Sequence, residues 1–266
     1  MPLATSTSAP RPGRVALVTG GGSGILQRVA ERLAGDGAFV AVVGRTQAKL
    51  DDTVRRITDA GGRAAAYAAD VREYEAMEEI TAAVAASAGP IDVVVCGAAG
   101  NFPALVSGMS ANAFKSVVDI DLLGTFNTCR AAFEHLAKPG ASVVTISAPQ
   151  ATQALPFQAH VSAAKAGTDM LTRSLAVEWG PLGVRVNGVI PGAVAETEGM
   201  DRLAPKGPAR DALTRRIPLQ RLATKDEIAD LVLFLCSDAA RYITGSLLAC
   251  DGGLLAAGAM YGASGR

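Results

Sequence analysis

Residues 14–25 read RVALVTGGGSGI, a pattern that predicts a strand, a glycine-rich turn and the start of a helix. The apolar run ends at Thr19, glycines follow, and an amphipathic segment begins near residue 24. Glycine tolerates positive φ and lets the backbone approach a pyrophosphate, which the N-terminus of the next helix attracts. A glycine-rich turn is a weak signal alone, but between a first strand and a first helix it predicts a nucleotide site. The residues expected to contact the nucleotide are Gly20, Gly22, Ser23, Gly24 and Ile25.

The same alternation of short apolar runs and amphipathic stretches continues along the chain. Strands are predicted at 14–19, 38–44, 63–69, 91–96, 141–147, 184–190 and 246–250. Helical spacing covers 24–35, 47–60, 73–88, 111–137, 158–180 and 224–236. Apolar strands separated by helices are typical of a parallel sheet covered on both faces. We therefore expect an α/β fold: a Rossmann-like, doubly wound parallel sheet of about seven strands in a single domain over 13–266, after a flexible tail at 1–12.

Residues 193–216 interrupt this alternation. They form a long polar segment that contains glycine and proline and follows a predicted strand. Long segments of this kind in a compact domain are usually functional, so we expect a substrate lid here.

Composition argues against several kinds of partner. The chain has 25 Lys and Arg against 25 Asp and Glu, so neither a nucleic acid nor an anionic membrane surface is expected as a partner. The four cysteines are far apart and the chain has only two histidines, which predicts free thiols and no metal site.

The sequence predicts a cytoplasmic protein. No apolar run reaches the ~18 residues that a membrane-spanning helix needs. Residues 1–12 lack the apolar centre of a signal peptide, and residues 264–266 do not match the Ser-Lys-Leu peroxisomal signal.

The end of the second predicted strand indicates which nicotinamide nucleotide binds. A site for NAD usually has an acidic residue there, which holds the ribose 2′-hydroxyl. Here Gly44 and Arg45 follow Val43, with Lys49 one helical turn later. A guanidinium group fits a 2′-phosphate, so Arg45 favours NADP(H), although a solvated surface arginine is the alternative.

Several dispersed segments resemble the short-chain dehydrogenase/reductase family over residues 13–255. Residues 19–25 resemble its cofactor loop, and residues 251–253, Asp-Gly-Gly, resemble its C-terminal signature. The resemblance implies cofactor contacts from Asp70 and Val71 at the adenine, and from Ala98, Lys165, Pro191, Gly192, Val194 and Thr197 elsewhere in the site.

The catalytic residues of that family are mostly replaced. Lys165 is present, but Val161 stands at the tyrosine position, Ala148 at the serine position and Asp121 at the asparagine position. Alcohol–ketone chemistry needs a hydroxyl group that exchanges a proton with the carbonyl oxygen. Simple carbonyl reduction is therefore disfavoured.

One branch of the family tolerates these losses. Residues 98–102, AAGNF, resemble 2,4-dienoyl-CoA reductases of the peroxisomal type, as do 160–166 and 175–180. The resemblance implies NADPH-dependent reduction of a conjugated acyl-CoA in a homo-tetramer. It implies a role for Lys165 at the nicotinamide ribose, for Asp121 with Asp251 in holding a proton-delivering water, and for Asn101 and Phe102 as substrate contacts.

Two other functions remain open at this stage. The chain is alternatively a reductase for a substrate unrelated to coenzyme A, or a non-catalytic nucleotide-binding scaffold. Leu26 favours the scaffold, because the family loop has glycine there and a leucine is expected to push the helix away or crowd the nicotinamide pocket. His160 is interpreted as packed or hydrogen-bonded at least as readily as catalytic, and only one of Asp119 and Asp121 is expected to face the site.

Overall fold

A computed structural model of the protein describes residues 13–257. The tail at 1–12 and the C-terminal residues 264–266, on which the sequence predictions also rest, lie outside the described residues.

The seven strands form one parallel sheet in the order β3-β2-β1-β4-β5-β6-β7. This confirms the predicted Rossmann-like α/β fold. The strands are β1 (Val15–Thr19), β2 (Phe39–Gly44), β3 (Arg63–Ala68), β4 (Val93–Cys96), β5 (Ser142–Ile146), β6 (Arg185–Pro191) and β7 (Leu247–Cys250).

Helices cover both faces of the sheet. They are α1 (Gly24–Gly35), α2 (Gln47–Asp59), α3 (Tyr74–Ala88), α4 (Ala111–Val118), α5 (Gly124–Ala132), α6 (Ala159–Trp179), α7 (Glu198–Leu203), α8 (Pro208–Arg216), α9 (Lys225–Cys236) and α10 (Leu254–Ala257). One apolar core packs α1 and α9 on the sheet, and a second packs α3, α5 and α6 on the opposite face. Within residues 13–257, every helix is too short or too polar to span a membrane.

The strand order reverses beside β1, because β2 pairs with one edge of β1 and β4 with the other. Ligands of open α/β sheets bind at such a switch point, outside the carboxyl ends of the strands. The glycine-rich turn after β1 therefore lies where the fold favours a nucleotide.

The segment predicted as helical over 111–137 is helical from Ala111 to His135, but it is not one regular α-helix. α4 ends at Val118, a π-helical turn covers Asp119–Leu123, and α5 then runs only to Ala132. Single π turns are rare in helices and frequent at functional sites. This one holds Asp121, which is 1% exposed, while Asp119 turns outward and pairs with Lys115.

Residues 193–216 are more ordered than the predicted polar segment suggested. They contain α7 and α8, and a small apolar core lies beneath them. That core is formed by Ala193, Met200, Ala204 and Ile217, with Leu213, Leu222 and Leu254 packed against it.

Candidate active site

The glycine-rich turn fits a pyrophosphate. A Cβ atom on Gly20 would lie 2.9 Å from the Gly97 carbonyl oxygen, and one on Gly22 would lie 3.1 Å from Lys49 Cβ. Gly20 and Gly24 also have positive φ, at 77° and 59°. The Ser23 side chain makes no capping hydrogen bond, so the first N–H groups of α1 remain available to an anion. The described residues therefore fit a dinucleotide phosphate, with Ile25 in the first turn of α1.

Leu26 was predicted to push α1 away or crowd the nicotinamide pocket, and the structure places it in the protein core. Its side chain is 8% exposed and belongs to the core beneath α1. A Cβ atom on Gly97 would lie 2.5 Å from Leu26 Cγ and Cδ1. The absence of a side chain at Gly97, after β4, makes room for the leucine.

Charged groups gather near the end of β2, where the adenosine half of a dinucleotide is expected. Arg72 donates from Nε to Asp70 Oδ1 at 3.0 Å and forms an ion pair with Asp70 Oδ2 at 2.6 Å. This pair lowers the pKa of the Asp70 carboxyl, and the charge of the exposed Arg45 contributes. Asn127 Nδ2 donates to the Val71 carbonyl oxygen at 2.9 Å, so α5 fixes this loop. Sequence reasoning missed both Arg72 and Asn127, which carry no motif signal.

Lys165 and Asp121 form a buried ion pair. Lys165 Nζ lies 3.3 Å from Asp121 Oδ2, with the two side chains 6% and 1% exposed. The same ammonium group donates to the Ile146 carbonyl oxygen at 2.9 Å, at the end of β5. Asp121 Oδ1 accepts a hydrogen bond from the Gly100 backbone N–H at 2.7 Å. These bonds join α6, the π turn and the loops after β4 and β5 into one site.

Asp251 lies apart from that pair. Its two carboxylate oxygens accept backbone N–H groups of Gly253 and Leu255, each at 2.8 Å. No hydrogen bond or ion pair joins it to Asp121 or Lys165 in the described part of the chain. A Cβ atom on Gly192 would lie 2.5 Å from Asp251 Cα, so the Asp-Gly-Gly turn packs directly on the loop after β6.

The beginning of the 193–216 segment lies over the glycine-rich turn. Thr197 Oγ1 donates to the Val194 carbonyl oxygen at 3.0 Å and accepts from Met200 N–H at 3.2 Å, which caps α7. Thr197 Cγ2 lies 4.0 Å from the position of a Cβ atom on Gly24. Pro191 ends β6 just before this segment, so the expected nicotinamide-side residues are brought near the turn.

Asn101 and Phe102 lie in the loop that begins at Gly100. The Phe102 ring packs against the His160 imidazole, with centroids 4.4 Å apart. The backbone N–H of Ala104 donates to the Phe157 carbonyl oxygen at 3.0 Å, which joins this loop to the segment before α6.

Comparison with known proteins identifies the family to which the chain belongs. A family described as Enoyl-(Acyl carrier protein) reductase matches residues 20–255. A short chain dehydrogenase from Bacillus anthracis superposes with a TM-score of 0.82 at 33% identity, covering 91% of this chain and 96% of that one. The chain belongs to the short-chain dehydrogenase/reductase family. A dehydrogenase/reductase from Sinorhizobium meliloti gives a TM-score of 0.88 at 33% identity, covering 93% and 97%.

Curated relatives of this reductase cover most of its length. A peroxisomal 2,4-dienoyl-CoA reductase of Saccharomyces cerevisiae is 44% identical, over 94% of this chain and 87% of the relative. One from Danio rerio, of the same name, is 42% identical, over 90% and 81%. A probable 2,4-dienoyl-CoA reductase of Bacillus subtilis is 36% identical, over 90% and 96%. The protein is therefore an oxidoreductase whose fold serves a nicotinamide nucleotide.

Within this family, Val161 stands where a catalytic tyrosine is usual. It is 3% exposed and packs with Val117 and Ala164, against Phe102. The reductase thus keeps the lysine on the first turns of α6 but has an apolar contact where the phenol would act.

Proposed function

We propose that the reductase is an NADPH-dependent 2,4-dienoyl-CoA reductase. The observation that carries this proposal is the buried pair of Lys165 and Asp121 beside an apolar Val161. Such a site retains a cation and a carboxylate but has no phenol for carbonyl chemistry. The names of relatives that are 36–44% identical to this chain support the same conclusion.

The chemistry of a conjugated thioester suits these residues. NADPH, when bound, supplies the hydride, which adds to the carbon of the diene remote from the thioester. Negative charge then develops on the thioester oxygen as a dienolate, and a proton must reach a carbon atom. The chain therefore has to stabilise an oxyanion and deliver a proton to carbon.

Lys165 and Asp121 divide this work. The ammonium group of Lys165 is fixed by Ile146 and Asp121, so it places positive charge next to the expected nicotinamide ribose. Asp121 is fixed by the Gly100 N–H and polarises the water that delivers the proton. Asp251 accepts two backbone N–H groups and makes no bond to Asp121 or Lys165 in the described part of the chain, so we assign the water principally to Asp121.

NADPH is preferred over NADH because of the charges around β2. Gly44 leaves no acidic side chain for a ribose hydroxyl, and Arg45 is exposed beside it. Arg72 is paired with Asp70, so the exposed Arg45 is the guanidinium group available to a 2′-phosphate.

The segment 193–216 acts as the substrate lid in this proposal. Its α7 and α8 rest on a small apolar core, and Lys49 Nζ lies 3.9 Å from Glu198 Oε2, between α2 and α7. A bound acyl-CoA is then enclosed between the lid and the loop that carries Asn101 and Phe102.

We infer that the functional particle is a homo-tetramer. Large apolar side chains are exposed on α5 and α6, which lie within 111–137 and 158–180. Phe126 is 43% exposed, Met170 57% and Val177 78%. Light scattering coupled to gel filtration tests this, and a Val177→Glu variant is expected to reduce the mass of the particle. The further apolar segment from Leu254 to Met260 extends beyond the described residues.

A cytoplasmic location remains the expectation from the sequence, whereas the relatives from yeast and zebrafish are named peroxisomal. Microscopy of a tagged full-length chain distinguishes the two compartments.

A spectrophotometric assay tests the activity. Purified protein is mixed with NADPH and 2,4-hexadienoyl-CoA, and the cofactor absorbance is followed, with NADH in parallel. We expect NADPH oxidation, with Lys165→Ala lowering kcat about 100-fold or more. Lys138→Ala is the matched control, because its exposed ammonium group donates to the Phe133 carbonyl oxygen, just after the end of α5. Absence of oxidation although NADPH binds would overturn the dienoyl-CoA assignment.

A further inference from the structure

Within residues 13–257, three polar side chains around Phe102 are buried and have no hydrogen-bond partner. His160 is fully buried, and neither of its ring nitrogens has a partner. The Oδ1 atom of Asn101 and the Oε1 atom of Gln158 are also buried and unpartnered. Native proteins satisfy nearly all buried polar atoms, so such a group needs an explanation.

The two segments that carry these groups are held together. The Ala104 N–H bond to the Phe157 carbonyl oxygen joins the loop of Asn101 to the residues before Gln158. The Gly100 N–H bond to Asp121 anchors the same loop to the proposed catalytic pair. The unpartnered atoms therefore lie on two joined segments, one of which is bonded directly to the proposed catalytic pair.

His160 is the uncommitted N–H donor of this region. Val161 offers no donor, and the Lys165 ammonium group is already engaged by Ile146 and Asp121. A neutral imidazole has one N–H donor and one acceptor nitrogen, and here both lack a partner. The residue next to the absent phenol thus holds an unused hydrogen-bond donor.

We propose that His160 donates a hydrogen bond to the thioester carbonyl oxygen of the substrate, where the dienolate charge develops. Phe102 covers the imidazole in the structure described, and its ring, which is half-buried, shifts as the substrate enters. Asn101 Oδ1 then accepts the single amide N–H that lies two carbons from the thioester sulfur of coenzyme A. The inference rests on the proposed dienoyl-CoA reductase activity.

Stability and activity are expected to change in opposite directions. His160→Phe retains the ring packing on Phe102 but removes both unpartnered nitrogens, so its Tm should equal or exceed that of the wild type. Loss of an oxyanion donor should lower kcat about 100- to 1,000-fold, with an unchanged Kd for NADPH. His160→Gln retains an N–H donor and should recover at least part of that loss. His135→Gln, at the other histidine of the chain, is the control and should behave as wild type.

Imidazole NMR gives a readout that does not depend on turnover. Because the chain has only two histidines, two sets of ring resonances are expected, and His135→Gln assigns them. Titration with hexanoyl-CoA, which has the thioester carbonyl but no diene, should shift the His160 signals and leave those of His135 in place. Free coenzyme A should not produce that shift.

Two results would overturn the inference while leaving the proposed function intact: an active wild type whose His160→Phe variant keeps its kcat, or saturable hexanoyl-CoA binding with unmoved His160 signals. A wild type that binds NADPH but neither binds hexanoyl-CoA nor reduces the dienoyl thioester would overturn both proposals.

Discussion

The side chain of Leu26 occupies the space that a side chain at position 97 would need, and residue 97 is a glycine. The two residues lie far apart in sequence, one on the first turn of α1 and the other after β4. A Cβ atom on Gly97 would come within 2.5–2.7 Å of three carbon atoms of Leu26. Real Cβ contacts are not this short, so each residue constrains the other. Leu26 stands where the family usually has glycine, and the missing side chain at Gly97 accommodates it.

A double-mutant cycle tests this relationship. Gly97→Ala should destabilise the protein by about 1–3 kcal/mol through overpacking, since its φ does not require glycine. Leu26→Ala should cost about 2–5 kcal/mol through the cavity that it leaves. In the Leu26→Ala background, Gly97→Ala should be neutral or stabilising, and chemical denaturation measures all four proteins.

Gly35→Ala is the matched control, because a Cβ atom there meets nothing within 4 Å. Additive effects of Leu26→Ala and Gly97→Ala would show that the two residues do not share one space.

The sequence predicted what depends on local pattern. All seven apolar runs became strands: the central parallel strands are buried on both faces and must be apolar, while the edge strands β3 and β7 are only partly buried. The break in the predicted helix over 111–137 has no local signal. Directly after it, a Cβ atom on Gly124 would lie 2.4 Å from Val71 Cγ2, a contact with a distant loop that the local sequence does not reveal.

The polar composition of residues 193–216 gave no sign of the two helices that they contain. Residues 208–216 read PARDALTRR, and none of them is buried, so no amphipathic stripe identifies α8. Likewise, the pairing of Arg72 with Asp70 and the bond from Asn127 to Val71 depend on the loops that the fold brings together.

A capping box at Thr224 should contribute measurably to stability. Thr224 Oγ1 accepts from Glu227 N–H at 3.2 Å, and a Glu227 carboxylate oxygen accepts from Thr224 N–H at 2.8 Å. Thr224→Ala removes the first bond and should cost about 1 kcal/mol in the free energy of unfolding. Thr58→Ala also removes a surface hydroxyl, one that bonds within α2 and caps no helix start, and should change stability less. Equal losses in the two variants would argue against the cap.

Arg45 should determine the preference for NADPH. Arg45→Gln removes the guanidinium group expected at the 2′-phosphate, and hydrogen bonds to charged groups contribute about 1.5–3 kcal/mol. The Kd for NADPH should therefore rise about 10-fold or more, while that for NADH stays within about twofold. Arg63→Gln is the control, because Arg63 begins β3 and so lies at the amino ends of the strands, whereas Arg45 follows the carboxyl end of β2. A parallel loss for both nucleotides would mean that Arg45 does not read the phosphate.

Asp169 should make stability depend on pH in a direction opposite to that of a paired carboxylate. It is 3% exposed, one turn after Lys165 on α6, and burial raises the pKa of its carboxyl although Ser147, Arg173 and Lys165 favour the charged form. A carboxyl whose pKa is higher in the folded state stabilises the fold below its unfolded pKa, and this contribution is lost as the pH rises through the folded value. Asp169→Asn stays neutral throughout, so its stability relative to the wild type should increase from pH 4 to pH 8. Urea denaturation at several pH values measures the difference, with the exposed Asp51→Asn as control. A difference that is flat or falls with pH would show that the buried carboxylate is fully compensated by its neighbours.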